Sequence, residues 1–157
     1  MKLTDYVAPE HVKIDLEGGN KEEIIEELVS LLVETSDVSD ADVIYEAVMK
    51  REREGSTGLE KGVAIPHAKS DAVKGLSVVI GVSREGVDFE AQDGKPSHLF
   101  FLMVAPTSES GPHVQAIAKI VKMIKLDKFR KKLIEAKKPA DVVDAIARVE
   151  NGEGEEI

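Results

Sequence analysis

The sequence contains no cysteine. A disulfide framework, a thiolate metal site and a cysteine nucleophile are thereby excluded. It also lacks any apolar run near the roughly 20 residues that span a bilayer, and its opening, Met-Lys-Leu-Thr-Asp, carries no apolar leader. The expectation is a soluble, cytoplasmic chain. Basic residues are in deficit, 21 Lys and Arg against 30 Asp and Glu, giving a formal net charge of −9. That balance argues against nucleic acid as a partner, because phosphate backbones are bound by basic faces. Asn and Gln occur only twice each beside abundant Lys and Glu, a composition typical of proteins from hot environments. Neither a GxGxxG nor a Walker-type loop is present. What is there is 157 residues, enough for one domain with a full core.

Hydrophobic period then assigns the elements. Residues 11–16 alternate, with Val12, Ile14 and Leu16 on one face, and predict a half-buried strand with His11 as an ordinary surface residue. Asn20, with Glu23 three residues on, predicts an N-cap for a helix over 21–35. Ser39, with Asp42, opens a second helix whose inward stripe reads Val43, Ile44, Ala47 and Val48. Residues 76–83 and 98–105 are nearly continuous apolar runs, as expected of strands buried on both faces. Between them Gly86 turns the chain, and Val87 and Phe89 suggest a short separate strand. His98 opens the second run at a sheet edge, in a structural role. Pro112 begins a helix with the stripe Ile117, Ile120, Val121 and Ile124, and Asp127 and Pro139 open two more. This order predicts an α/β fold: a mixed, roughly five-stranded sheet flanked by helices in a three-layer sandwich. One domain is expected over 1–150, followed by an acidic tail, 151–157, too polar to fold.

One stretch stands apart, residues 51–68, reading REREGSTGLEKGVAIPHA. Arg51 falls seven residues after Ile44, four after Ala47 and three after Val48, so it shares their inward face. A guanidinium there needs an anion. Either a carboxylate meets it (Glu52, Glu54 or a distant acid), or its planar fork holds a phosphate. A loop rich in Gly, Ser and Thr follows, then the short run Val63, Ala64, Ile65, which stops at Pro66 and delivers His67. Proline fixes its own φ and extends the residue before it. Ile65 is therefore expected to end a strand, with His67 held just outside it on a stiff turn.

His113 also follows a proline, in the first turn of its helix. Free N–H groups and the positive end of the dipole gather there, favouring an anion and disfavouring imidazolium. If the fold brings His67 beside it, a phosphoryl group on His67 would face His113, the helix N-terminus and Arg51. Ser56 and Thr57 would add hydroxyl donors. Phosphoryl transfer needs such a set, since it rests on positioning and on stabilising charge. Two other readings are weaker. Zn²⁺ held by His67 and His113 lacks a third ligand at a typical spacing, and a Ser56–His67 hydrolase lacks a nucleophile elbow.

Gly-Ser-Thr-Gly followed by Gly-Val-Ala-Ile-Pro-His-Ala closely resembles the active-site segment of type 2 enzyme IIA domains. These belong to the phosphoenolpyruvate-dependent sugar phosphotransferase system, in its fructose, mannitol and nitrogen-regulatory branch, and the resemblance covers nearly the whole chain. It implies that His67 accepts a phosphoryl group from the phosphohistidine of the carrier HPr and passes it to a cysteine or histidine of a IIB domain. It implies further that His113 orients the site without being phosphorylated and that Arg51 helps hold the phosphoryl group. No cofactor or metal is implied, and contact with a membrane comes only through the permease. Ala68 stands where the family often has glycine. Two roles share this site: a sugar-transport phosphocarrier, and a nitrogen-type regulator whose phosphorylation state controls partner binding.

Overall fold

The computed structural model describes residues 1–38 and 40–153. After two short 3-10 turns, Leu3–Asp5 and Pro9–His11, the chain order is β1 (Val12–Lys13), α1 (Lys21–Thr35), α2 (Ala41–Glu54), β2 (Val63–Ala64) and β3 (His67–Lys69). There follow β4 (Ser77–Val87), β5 (Ser97–Ala105), α3 (Ser110–Met123), α4 (Asp127–Ile134) and α5 (Pro139–Glu150). The two apolar runs make the centre of the sheet, β4 antiparallel to β5. β1 lies parallel to β4 on one side, and β2 and β3 both lie parallel to β5 on the other.

β2 and β3 are one edge strand with an interruption. Val63 lies opposite Leu99 and His67 opposite Met103, so the register does not change between them. The break falls at Ile65 and Pro66, because proline has no N–H to give to a ladder. Its carbonyl still accepts from Met103 N–H at 3.1 Å. His67 is therefore not outside the strand, as expected from the proline, but is the first residue of its second half.

Side-chain alternation divides the interior into two cores. Val63, Ile65, Leu99, Phe101 and Met103 pack with α3, α4 and α5. Ala64, Ala68, Phe100, Leu102 and Val104 pack with α1 and α2. The result is the expected three-layer sandwich, and His67, at an odd position, shares the α3 side.

Asn20 caps α1 by accepting from Glu23 N–H at 2.9 Å, as its spacing predicts. Other expectations shift. The first strand shrinks to two residues, although Leu16 N–H still reaches the Val82 carbonyl. Asp40 caps α2, while Ser39 lies outside the described residues. Gly86, at φ 83°, does not separate two strands but sits in an irregularity within β4. His98 lies on a central strand, where its Nδ1 meets the Ser83 carbonyl at 2.9 Å. Of the tail, residues 154–157 lie outside the description.

The helix stripes are also rotated by a position. α2 buries Ile44, Val48, Met49 and Glu52, leaving Val43 49% exposed and Arg51 half-buried. α3 buries His113, Ala116, Ile120 and Met123, and Val121 faces out. In α2 the buried face runs along the row Ile44, Val48 and Glu52 with Met49 beside it, and in α3 it advances by alternating steps of three and four, both ordinary for a helix face. Among the described residues no helix is long and apolar enough to cross a membrane.

Candidate active site

The loop before His67 is a small hairpin. Leu59 N–H donates to the Val63 carbonyl (2.8 Å) and Ile65 N–H to the Thr57 carbonyl (3.1 Å). Between the paired Leu59 and Val63 the turn has Lys61 and Gly62 both at positive φ (63° and 77°). The Ser56 hydroxyl donates to the Phe89 carbonyl (2.7 Å) and accepts from Gly58 N–H (3.0 Å). Gly58 itself is squeezed: a Cβ there would lie 2.9 Å from Ala91 Cα. Thr57 is buried, with its hydroxyl on the Glu52 carboxylate. The hydroxyls of Ser56 and Thr57 are thus spent on holding the loop. Neither residue lines the cleft, where both were expected as donors to a phosphate.

From this fixed loop the chain emerges at His67. Its Nδ1 lies 2.8 Å from the Ile65 carbonyl oxygen. A carbonyl can only accept, so Nδ1 carries the proton and the neutral ring keeps its lone pair on Nε2. The His113 ring stands edge-on to it, centroids 5.5 Å apart and planes at 88°. His113 is only 4% exposed, and among the described residues neither of its ring nitrogens has a hydrogen-bond partner. Burial, then the nearby His67 and Lys69, hold its pKa below the ordinary histidine value. It is a neutral imidazole with an unmet polar demand, which is rare in a protein interior and calls for a partner.

A cleft of about 390 Å³ opens over this pair. α2 contributes Ala47, Lys50, Arg51 and Glu54, β3 contributes His67, Ala68 and Lys69, and α3 contributes His113, Val114 and Ile117. Three cations face one carboxylate, on a chain of net charge −9. Arg51 Nη1 donates to the Gly55 carbonyl at 2.8 Å, and Lys69 Nζ donates to Ser110 Oγ. Among the described residues no carboxylate lies within ion-pair distance of Lys50, Arg51 or Lys69. Of the predicted set, the fold brings together His67, His113 and Arg51 and leaves out Ser56 and Thr57. Among the described residues, no group of three or more His, Cys, Asp or Glu is arranged to hold a metal.

The profile of the family described as "Phosphoenolpyruvate-dependent sugar phosphotransferase system, EIIA 2" matches residues 5–149. The chain belongs to this EIIA type 2 family. It is 36% identical over 152 residues to the fructose-specific EIIA component of Haloferax volcanii, covering 95% of this chain and 99% of that one. It is 34% identical over 146 residues to the fructose-specific EIIABC component of Bacillus subtilis, covering 93% of this chain but only 23% of that much longer protein. Among solved structures, the nitrogen regulatory protein IIA-Ntr of Neisseria meningitidis superposes with a TM-score of 0.84 at 33% identity, over 92% of this chain and 98% of that one.

In this EIIA domain two cationic cleft residues, Lys50 and Lys69, are absent from the expected set, and Glu54, expected only as a possible ion-pair partner of Arg51, lines the cleft with them. Their signals are simple in retrospect. Ala47, Lys50, Arg51 and Glu54 follow i, i+3, i+4, i+7 and so share a helix face. Lys69 lies two residues beyond His67 and so points to the same side of the strand.

Proposed function

We propose that His67 is the phosphoryl acceptor of this EIIA phosphocarrier, taking the group from phospho-HPr through Nε2 and passing it to a IIB component. The observation that carries this reading is the Nδ1–H bond to the Ile65 carbonyl, which leaves Nε2 as the free nucleophile. As Nε2 bonds to phosphorus, the donor's P–N bond breaks and its electron pair returns to the donor imidazole. The His67 ring then carries positive charge, and the Ile65 carbonyl on Nδ1–H stabilises it. No proton has to leave Nε2, so no general base is required.

The phosphoryl oxygens would be met by His113, whose unpaired ring nitrogen is kept neutral and can donate, by Arg51 and by the N-terminal turn of α3. Such a carrier works in the cytoplasm, where its donor is found, and meets the membrane only through a permease. A second reading is favoured by the IIA-Ntr likeness: the same chemistry serves regulation, with the state of His67 controlling binding to a partner protein.

Intact-mass spectrometry at neutral to alkaline pH, after incubation with phosphoenolpyruvate, enzyme I and HPr, tests the shared chemistry. One acid-labile phosphate on the wild type and none on His67→Ala is the expected result. A variant still labelled would overturn the assignment.

A further inference from the structure

Next to Arg51 in sequence, but lining no part of the cleft, Glu52 belongs to a buried ion pair. Lys21, the first residue of α1, places Nζ 2.9 Å from Glu52 Oε2, with side-chain exposures of 9% and 2%. Lys21 also reaches Glu90 (3.2 Å) and sits over the Phe89 ring, 4.8 Å from its centroid. Glu52 accepts the Thr57 hydroxyl and the Thr57 N–H, at 3.2 Å from Oε1 and 3.3 Å from Oε2. Breaking up a buried pair is costly, yet an apolar replacement of the same volume is often as stable. Stability alone gives little reason for two charges at this place.

The connections beyond the pair give a better one. Thr57, held by Glu52, offers its carbonyl to Ile65 N–H, and Ile65 in turn offers its carbonyl to His67 Nδ1–H. Glu52 also adjoins Arg51 on the last turn of α2, one side chain turned inward and the other to the cleft. Any rotation of that turn moves both.

We propose that Lys21 and Glu52 are positioning residues: through Thr57 and Ile65 they fix the tautomer and orientation of His67, and through the α2 turn they fix Arg51. This rests on His67 being the phosphoryl acceptor. The chain of contacts is continuous from Lys21 to the nucleophile, every link a hydrogen bond between buried or half-buried groups. A shift of about 1 Å at a reacting atom is worth about 100-fold in rate, so small losses of frame are visible in turnover.

The test has two parts. First, the ring ¹⁵N shifts of His67 are measured on the unphosphorylated wild type, Glu52→Gln, Lys21→Met, Thr57→Val and Thr57→Ser, with no partner present. The wild type and Thr57→Ser should show the Nδ1–H tautomer, and the others a mixture. Second, kcat and KM are measured with phospho-HPr. For Glu52→Gln, Lys21→Met and Thr57→Val, kcat should fall about 10- to 100-fold, while KM stays within about twofold. Thr57→Ser should restore both. Folded variants with a lowered melting temperature but the wild-type tautomer and kcat would overturn the proposal, reducing the pair to structure. If the charge variants fail to fold, Thr57→Val, which leaves both charges in place, decides. If the wild type itself takes no phosphoryl group, the acceptor reading fails, and the tautomer comparison still decides whether the pair positions His67.

Discussion

Of two hollows among the described residues that each carry several cations, one makes a chemical case and the other does not. The groove over α4 and α5 is the larger, about 670 Å³ against about 390 Å³, and is lined by Arg84, Lys132, Lys137 and Arg148. Its charges answer one another. Glu135, Asp141 and Asp144 stand among the cations, Arg148 pairs with Glu153 at 3.4 Å, and Arg84 is bonded to the Ala136 carbonyl. In the cleft beside β3, three cations have one carboxylate among them, and a buried imidazole has no hydrogen-bond partner among the described residues. Size and charge do not mark a site. A fixed nucleophile facing an unmet polar demand does.

The strongest way to break this comparison is to remove the proposed nucleophile. His67→Ala should abolish phosphate uptake from phospho-HPr with the fold intact, read by intact mass and circular dichroism. Next comes Arg51→Ala, which should lower kcat about 100-fold, as loss of one charged donor to a transferring group does. Its thermal midpoint should hardly change, because Arg51 is half-buried and, among the described residues, bonds only a carbonyl of its own helix end. A large loss of stability with normal transfer would show that Arg51 serves the fold.

How legible these roles were in the sequence depends on the kind of constraint. Strands and helices follow local period, so residues 21–35 and the two apolar runs could be read directly. Pro66 was read correctly as a break, but not as a break inside a strand that resumes, since resumption depends on β5, some 36 residues further along. Arg51 follows Ile44 by seven, Ala47 by four and Val48 by three, which reads as an inward position. Glu52, four after Val48 and eight after Ile44, occupies that face, and the signal for it lay in α1, where Lys21 precedes Ile24, Ile25 and Leu28 at helical spacing. Charges of opposite sign on the inner faces of two neighbouring helices are such a signal. The Ser56 and Thr57 roles were illegible for a different reason: a hydroxyl's partner is a matter of tertiary contact, and Phe89 and Glu52 claim these two.

His113 sharpens the comparison, since its two unpaired nitrogens should cost stability and supply rate. His113→Leu removes them at similar volume. Transfer should slow about tenfold, the worth of one hydrogen bond, while the protein becomes no less stable, because an unsatisfied polar group has left the interior. The pH dependence carries the same sign. A histidine held below its ordinary value of 6.5 in the folded state accepts a proton more readily once unfolded. Wild-type stability is therefore intact above that value and declines as pH falls below it, until the folded form also titrates. The difference in urea midpoint between wild type and His113→Leu, measured at about pH 7.5 and about pH 5.5, should move in favour of the variant at the lower pH. An unchanged difference would mean that His113 titrates in the folded protein as it does in the unfolded chain.

The smallest expected effect belongs to the other hollow. Lys137→Ala with Arg148→Ala should leave kcat and KM for phospho-HPr within about twofold, because surface charges already surrounded by carboxylates contribute little. The groove shares no lining residue with the cleft. Equality here would support the view that three cations with a single carboxylate, and not cationic side chains as such, draw the phosphoryl donor. A tenfold rise in KM with kcat unchanged would break the comparison. It would make the α4–α5 groove part of the surface on which the donor docks, and the cleft alone would no longer account for recognition.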